Sequence, residues 1–317
     1  MNTDKRRWGR IRVSPVLGRG FPVIRTTRPR RTFRVRLSSA LVLSMVLALV
    51  EVAAGYPVTV KDARGKSIII RSAPRRIVSL APGNTEILFA LGLGNRVVGV
   101  TKFCDYPSAA RKKAKVGDQV ISVERVIALK PDLILAHAYL NNACIGQLEA
   151  AKKTVIAIDP KTYGQVMSDI SMIGRATGRT ARANAIVRKM RAARDKTLKR
   201  KRAGHRVRTL VVIDTSKLWA AGPATFVDEM IRYAHGENIA HDSRPGFNQF
   251  PVERAIARKP EAIIVDKGLG RFFWTSPVWR KTKVVRDGCV YEMDFDLLVR
   301  PGPRLAEGLV ELSKKLR

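Results

Sequence analysis

Cysteine, histidine and aromatic side chains are scarce in this chain: three Cys, four His and 6% aromatics in 317 residues. Cys104, Cys144 and Cys289 form no Cys-x-x-Cys pair, so neither a zinc ribbon nor a dithiol redox centre is in reach. Three cysteines also cannot staple a small disulfide-dependent fold. Acids are short as well, with 26 Asp and Glu against 60 Lys and Arg, a net charge of +34. No nucleophile elbow, phosphate loop or Gly-rich dinucleotide turn follows the apolar run Ile77–Leu80. His235 and His241 stand six apart, which is not a metal-binding spacing on one helix face. Catalysis therefore has nothing to stand on, and the chain reads as a non-enzyme without a resident cofactor or metal.

What is present begins with a leader over residues 1–55. Residues 1–36 hold twelve Lys and Arg and one acid, Asp4. Leu37 to Val50 then runs fourteen residues without a charge, followed by Glu51 and the small residues Ala53, Ala54 and Gly55. Fourteen residues fall short of the roughly 20 of a membrane-spanning helix. The order of basic, apolar and small residues is that of a cleavable export signal, with cleavage near Ala54 or Gly55. Arg30-Arg31-Thr32-Phe33-Arg34 resembles a twin-arginine signal, whereas Val35 onward also reads as a compact ordinary signal by itself. No Cys lies at the cleavage point, so the mature chain is expected free in an oxidising compartment, the periplasm. Without the leader it keeps 48 bases against 24 acids.

The mature part contains one internal repeat. Val123–Ala136 and Val252–Val265 share eight of fourteen residues at an offset of 129, a domain's length rather than a solenoid's. In each copy one or two helical turns carry a first-turn Glu (Glu124, Glu253). Pro131 or Pro260 then stops the helix and drives the preceding Lys out of the helical region. A short apolar strand follows, Leu133 to Ala136 or Ala262 to Val265. Similar runs at Ile77–Leu80, Val97–Val100, Val155–Ile158 and Thr209–Ile213 predict buried parallel strands between helices. Val58–Val60 and Ser67–Ile70 predict a small hairpin that turns at Gly65. From Gln165 to about Arg202 no Pro occurs and apolar residues recur at helical spacing. The expected architecture is α/β: two Rossmann-like lobes with parallel sheets, one over 56–162 and one over 205–317. A single long, rigid helix over 163–204, loosened at most at Gly174 and Gly178, joins them beside an interlobe cleft.

Several phrases together carry a resemblance. They are Ala73-Pro-Arg-Arg-Ile-Val-Ser-Leu-Ala-Pro82, Asn84-Thr-Glu-Ile-Leu-Phe-Ala-Leu-Gly92, Cys104-Asp-Tyr-Pro107, both Val-Glu-Arg repeats, Gly236-Glu-Asn-Ile239 and Arg300-Pro-Gly-Pro-Arg304. In this order they resemble the periplasmic substrate-binding proteins of ATP-driven (ABC) importers for cobalamin, haem and ferric siderophores, most of all the cobalamin branch. The resemblance implies a monomeric exported binder that delivers a metal chelate to a permease dimer. It further implies that Glu124 and Glu253, one per lobe, dock onto that permease, although a first-turn Glu is also an ordinary helix-dipole partner. By position, Phe103, His137, Trp219, Phe247, Asp296 and Arg300 resemble the ligand-facing residues. Aromatics would cover a flat macrocycle, while Asp296 and Arg300 would bond its polar fringe. His137 departs from the large aromatic usual at its position, and is read as a structural imidazole, a cleft residue or a metal ligand. For a haem ligand, His137 or Tyr139 would be the axial candidates. Cys104 and Cys144 fall in one lobe, and their pairing is left open. Arg175 to Arg208 holds fourteen Lys and Arg and one acid, Asp195. Without interleaved aromatics it reads as a solvated helix face rather than a nucleic-acid surface, with attraction to the anionic envelope or an anionic ligand as the alternative.

Overall fold

The computed structural model describes residues 55–199 and 204–316, and the expected leader lies outside them apart from Gly55. The described chain opens with a hairpin in which β1 (Val58–Lys61) and β2 (Ser67–Ile70) pair antiparallel, Val58 opposite Ile70. Gly65 turns it at φ +78°, a conformation with little cost only for glycine.

The first lobe alternates β3 (Ile77–Ser79), α1 (Pro82–Ala90), β4 (Val97–Val100), α2 (Ser108–Arg111), β5 (Ala114–Lys115), α3 (Val123–Ala128), β6 (Leu133–His137), α4 (Asn142–Ala150) and β7 (Val155–Ile158). Its sheet has the order β5-β4-β3-β6-β7, and every pairing is parallel. All of these strands therefore end on one edge.

The connection is not one helix. It consists of α5 (Tyr163–Ala176) and α6 (Thr180–Leu198), packed against each other as an antiparallel hairpin. The reversal is made at Gly178, whose φ of +69° breaks the helix while the Arg179 N–H donates to the Gly174 carbonyl. Tyr163 at the start of α5 donates its hydroxyl to the Met190 carbonyl of α6. Tyr56 closes the far end by donating to the Ala176 carbonyl. The strut is thus a two-helix element, with α6, nineteen residues long, carrying the chain into the second lobe.

That lobe contains β8 (Val207–Asp214), β9 (Trp219–Ala221), α7 (Phe226–Tyr233), β10 (Gly236–Asn238), β11 (Phe247–Gln249), α8 (Val252–Ala257) and β12 (Ala262–Asp266). It continues with α9 (Gly270–Thr275), α10 (Lys283–Arg286), β13 (Val290–Met293), α11 (Asp296–Val299) and α12 (Leu305–Lys315). Strands β8, β10, β12 and β13 are parallel, but β9 runs antiparallel to β8 and β11 antiparallel to β9. The expectation of a parallel sheet in both lobes is corrected here: this one is mixed. Only residues 215–218 separate β8 from β9, too few for the crossover that a parallel partner needs.

Strand alternation divides the interior in the same way in both lobes. In β6, Leu133 and Leu135 face one core and Ile134 and Ala136 another. In β12, Ala262 and Ile264 join the former, whereas Ile263 and Val265 belong to a third core confined to the second lobe. The core reached by Leu133 and Ile264 is continuous through Val166, Ile170, Val187 and Met190 of the strut and Leu309 of α12. A shared interior of this kind ties the lobes together, since sliding one past the other would open close-packed contacts.

Candidate functional site

The carboxyl edges of the two sheets face each other. Gly83, at the start of α1 beyond β3, lies so close to Pro301, beyond β13, that a Cβ there would come within 2.7 Å of the Pro301 carbonyl. Ligands of open α/β sheets bind at such edges.

An ion network crosses the contact. Arg304 donates to both oxygens of Glu86, at 2.6 and 2.9 Å, and its guanidinium lies 3.9 Å over the Tyr106 ring. Arg300 donates to Asp105 at 2.5 Å and to Asp296 at 2.8 Å, and stands 3.5 Å from Glu86. Glu86 and Asp105 belong to the first lobe, the other three to the second. The hydrogen bond and charge of Glu86 hold Arg304 cationic against the opposing effect of burial. Burial in turn pushes the Glu86 and Asp296 carboxyls up, and the arginines only partly offset it. Asp105, though burial opposes it too, is held below the usual range by Arg300. Three acids against two bases leave the cluster one charge negative. Asp296 and Arg300, both expected to face a ligand, are thus paired with each other. Arg300, however, is already engaged across the lobes, so an anionic ligand group would have to displace Asp105.

Phe103 and His137 sit at the carboxyl edge of the first sheet. Phe103 follows β4 and is 50% exposed. His137 ends β6 and is mostly buried. The Leu140 N–H donates to His137 Nδ1 at 3.4 Å, which leaves the proton on Nε2, 3.7 Å from Asp159. Burial lowers the imidazole pKa; Asp159 opposes this and Lys161, itself 2.7 Å from Asp159, reinforces it. His137 thus has Nδ1 occupied by a backbone amide and Nε2 turned to a carboxylate 3.7 Å away, a poor arrangement for gripping a metal. The exposed aromatic of this loop is Tyr139, at 78%. On the other lobe Trp219 starts β9 opposite Asp214, at the carboxyl end of β8, and is 39% exposed. Phe247 lies two residues deeper, opposite Ala221, and packs against the shared core. Phe103 and Trp219 consequently present exposed rings from the two lobes, whereas Phe247 is committed mainly to packing.

Glu124 and Glu253 are both exposed in the first turns of α3 and α8. Ser122 Oγ donates to Glu124 at 2.9 Å, and Glu253 has no partner among the described residues. The cysteines are free: Cys104 Sγ lies 3.1 Å from Thr101 Oγ1, and Cys144 Sγ donates to the Asn141 carbonyl. Their pairing is thus decided in the negative.

Sequence reading missed Glu86, Asp105, Arg304 and Asp169. Asp169, on α5, has no hydrogen-bond partner among the described residues, and burial together with the charge of Asp159 pushes its carboxyl up to about 7. A cavity of about 1130 Å³ between α1, α6 and α12 is lined by Phe89, Tyr106, Ile186, Met190, Arg304 and Val310, among others, and by none of the six expected ligand residues. Among the described residues no cluster of His, Cys, Asp and Glu has the geometry of a metal site.

The chain is similar to known proteins in sequence and in fold. A sequence profile of periplasmic binding proteins matches residues 77–297. The chain is 37% identical over 270 residues to an uncharacterized ABC transporter substrate-binding lipoprotein of Bacillus subtilis (strain 168), covering 82% of this chain and 86% of that one. It is 31% identical over 246 residues to a vitamin B12-binding protein of Yersinia pseudotuberculosis, covering 77% and 87% respectively. A periplasmic haem-binding protein from Pseudomonas aeruginosa superposes with a TM-score of 0.68 at 27% identity, covering 77% of this chain and 92% of that one.

Proposed function

We propose, from the premise that this chain belongs to the periplasmic binding protein family of ABC importers, that it captures a corrinoid between its lobes and delivers it to a permease dimer. The observation that carries the reading is the pair of exposed rings, Phe103 and Trp219, on the two carboxyl edges, with Arg300 and Asp296 at their junction. A macrocycle would be held by its faces on the aromatics, and its amide or carboxylate fringe would exchange with Asp105 for Arg300. Glu124 and Glu253 project one charge from each lobe and would set the orientation on a two-fold permease. The chain acts as a monomeric carrier, without catalysis or a resident cofactor, after removal of its export signal. The likeness to a vitamin B12-binding relative supports cobalamin as the ligand.

Titration of the purified protein with cyanocobalamin, hemin and a ferric siderophore, followed by Trp fluorescence and calorimetry, tests this. Saturable one-to-one binding of cobalamin alone is the expected result. No binding of cobalamin would remove the corrinoid assignment.

A second reading is favoured by Tyr139, whose phenol is exposed at the mouth of the first lobe while His137 faces Asp159. Haem would then take the phenolate as its axial ligand, and Tyr139→Phe would abolish the bound Soret spectrum while His137→Phe would preserve it.

A further inference from the structure

The Arg300 guanidinium is only partly engaged. Its Nη1 donates to Asp105 Oδ1 at 2.5 Å and its Nε lies 2.8 Å from Asp296, whereas Nη2 has no hydrogen-bond acceptor among the described residues. Asp105 thus meets the terminal fork through a single oxygen. Its carboxylate has no other side-chain partner, and its side chain is 41% exposed against 15% for Arg300. The backbone around it is held independently of that bond. Arg111 donates to the Asp105 carbonyl, Cys104 is buried against Thr101, and Tyr106 lies under the Arg304 guanidinium. Rotation of the Asp105 side chain alone therefore carries the carboxylate into water and uncovers both terminal nitrogens of Arg300.

The neighbouring pair does not open in this way. The Glu86 side chain is 1% exposed and accepts two hydrogen bonds from Arg304, so it stays in place when Asp105 leaves. Charge then decides what can enter. With Asp105 turned out, Glu86 and Asp296 balance Arg300 and Arg304, and the set is neutral. A carboxylate that takes the place of Asp105 returns the set to one negative charge, and it can bridge Nη1 and Nη2 where Asp105 uses one oxygen. A phosphate dianion would bring a second negative charge beside buried Glu86. An amide oxygen brings no charge, and a hydrogen bond between two charged groups is roughly twice as strong as a neutral one. An amide therefore does not outcompete Asp105.

We propose that Asp105 stands in for a carboxylate of the transported ligand, and that Arg300 selects a ligand edged with a carboxylate over one edged only with amides. The inference rests on the reading of an interlobe macrocycle site and narrows it: of the two fringe groups named there, the carboxylate is the one that exchanges.

Two experiments on the purified full-length chain separate this inference from that reading. In the first, Asp105→Ala is melted at neutral pH in sodium acetate at about 0.1 M, and in acetamide with sodium chloride at the same ionic strength. Acetate is expected to raise the midpoint by about 2–4 °C, as a weak ligand bound only to the folded state does, and acetamide to leave it unmoved. The wild type is expected to show no response to acetate. Neither is Asp118→Ala, which frees the exposed Lys102 elsewhere in the same lobe. In the second, calorimetry compares two matched pairs: cyanocobalamin with its monocarboxylate, made by hydrolysis of one side-chain amide, and hemin with its dimethyl ester. Asp105→Ala is expected to raise affinity for the acid about tenfold relative to its neutral partner, and Arg300→Met to lower it about tenfold on the same scale. A midpoint that acetate leaves unmoved, or moves equally in the wild type and Asp118→Ala, overturns the inference even where cyanocobalamin binds. Equal effects of the variants on acid and neutral members overturn it as well. Acetate rescue without binding of either macrocycle upholds the carboxylate fork of Arg300 and removes the macrocycle reading.

Discussion

The two lobes build the same phrase from different surroundings. In each, a six-residue helix (α3, α8) is followed, two residues past its end, by a Lys of positive φ, 46° at Lys130 and 48° at Lys259, directly before the Pro. An acid one residue past the Pro then clamps the neighbouring strand. Asp132 accepts the Arg75 and Arg76 amides, and Glu261 accepts the Arg208 amide. Arg76 donates to the Leu129 carbonyl and Arg208 to that of Lys259. The lobes differ at the start of the phrase. Ser122 caps α3 and bonds Glu124, whereas Pro251 precedes α8 and leaves Glu253 unrestrained. They differ again in their sheets, one purely parallel and the other mixed. Duplication has thus kept the turn that positions the two glutamates, while the strands around it diverged.

The sharpest way to break the comparison is to reverse both glutamates. Glu124→Arg with Glu253→Arg is expected to lower whole-cell uptake about tenfold or more while the purified protein keeps its ligand affinity. Each single reversal should give an intermediate defect. Weakened ligand binding by the double variant would place the pair in the cleft instead.

The contact between lobes comes next. Arg304→Met leaves Glu86, 1% exposed, without its bidentate partner, and is expected to cost about 3–5 kcal/mol in urea unfolding. Arg304→Met combined with Glu86→Leu should recover most of that loss, because no buried charge then remains unpaired. A single variant with full stability would mean that the pair is solvated.

A smaller effect separates the two clamps. Asp132→Ala removes an acceptor from two amides and Glu261→Ala from one. Each is expected to cost about 1 kcal/mol, with Asp132 the larger. Equal and negligible costs would show that the left-handed lysines hold the turns unaided.

Asp169 has no counterpart in the second lobe's half of the repeat and gives a pH signature. Its carboxyl moves from 3.8 to about 7 on folding, so the folded state holds the proton more tightly than the unfolded chain. Stability contributed by the protonated form is present below pH 4 and is lost as pH rises toward 7. Asp169→Asn should flatten that part of the profile and raise stability at pH 8 by roughly 1–3 kcal/mol; the low end applies if water reaches the half-buried group. His137 acts oppositely. Its pKa is lowered by burial, so its contribution is full above pH 6.5 and declines as pH falls below that value. Denaturant melts from pH 4 to 8 distinguish the two residues.

The least change is expected in overall shape. A core continuous from Leu133 through the strut to Ile264 should confine ligand-dependent change in scattering radius to about 1 Å or less, and a larger closure would contradict it.

The sequence alone determined the two lobes, the order of strand and helix, the ends of the helices before Pro131 and Pro260, and the exposure of Glu124 and Glu253. These depend on neighbours within a few residues: a Pro after a Lys, an apolar run after a Pro, a Glu in a first turn. It also named Phe103, Trp219, Asp296 and Arg300 as ligand-facing, through a resemblance that local chemistry could not have supplied. Tertiary structure decided the rest. Gly178 could have been tolerated inside a straight helix, and only the packing of α5 on α6 selects the reversal. The short 215–218 connection makes β9 antiparallel to β8, and only the assembled sheet decides that it takes the side of β8 opposite β12. Glu86 finds Arg304 across 218 residues and Asp105 finds Arg300 across 195. Pairings so remote leave no periodicity in the chain, because the energy that selects them arises only when two lobes bury opposite charges against each other.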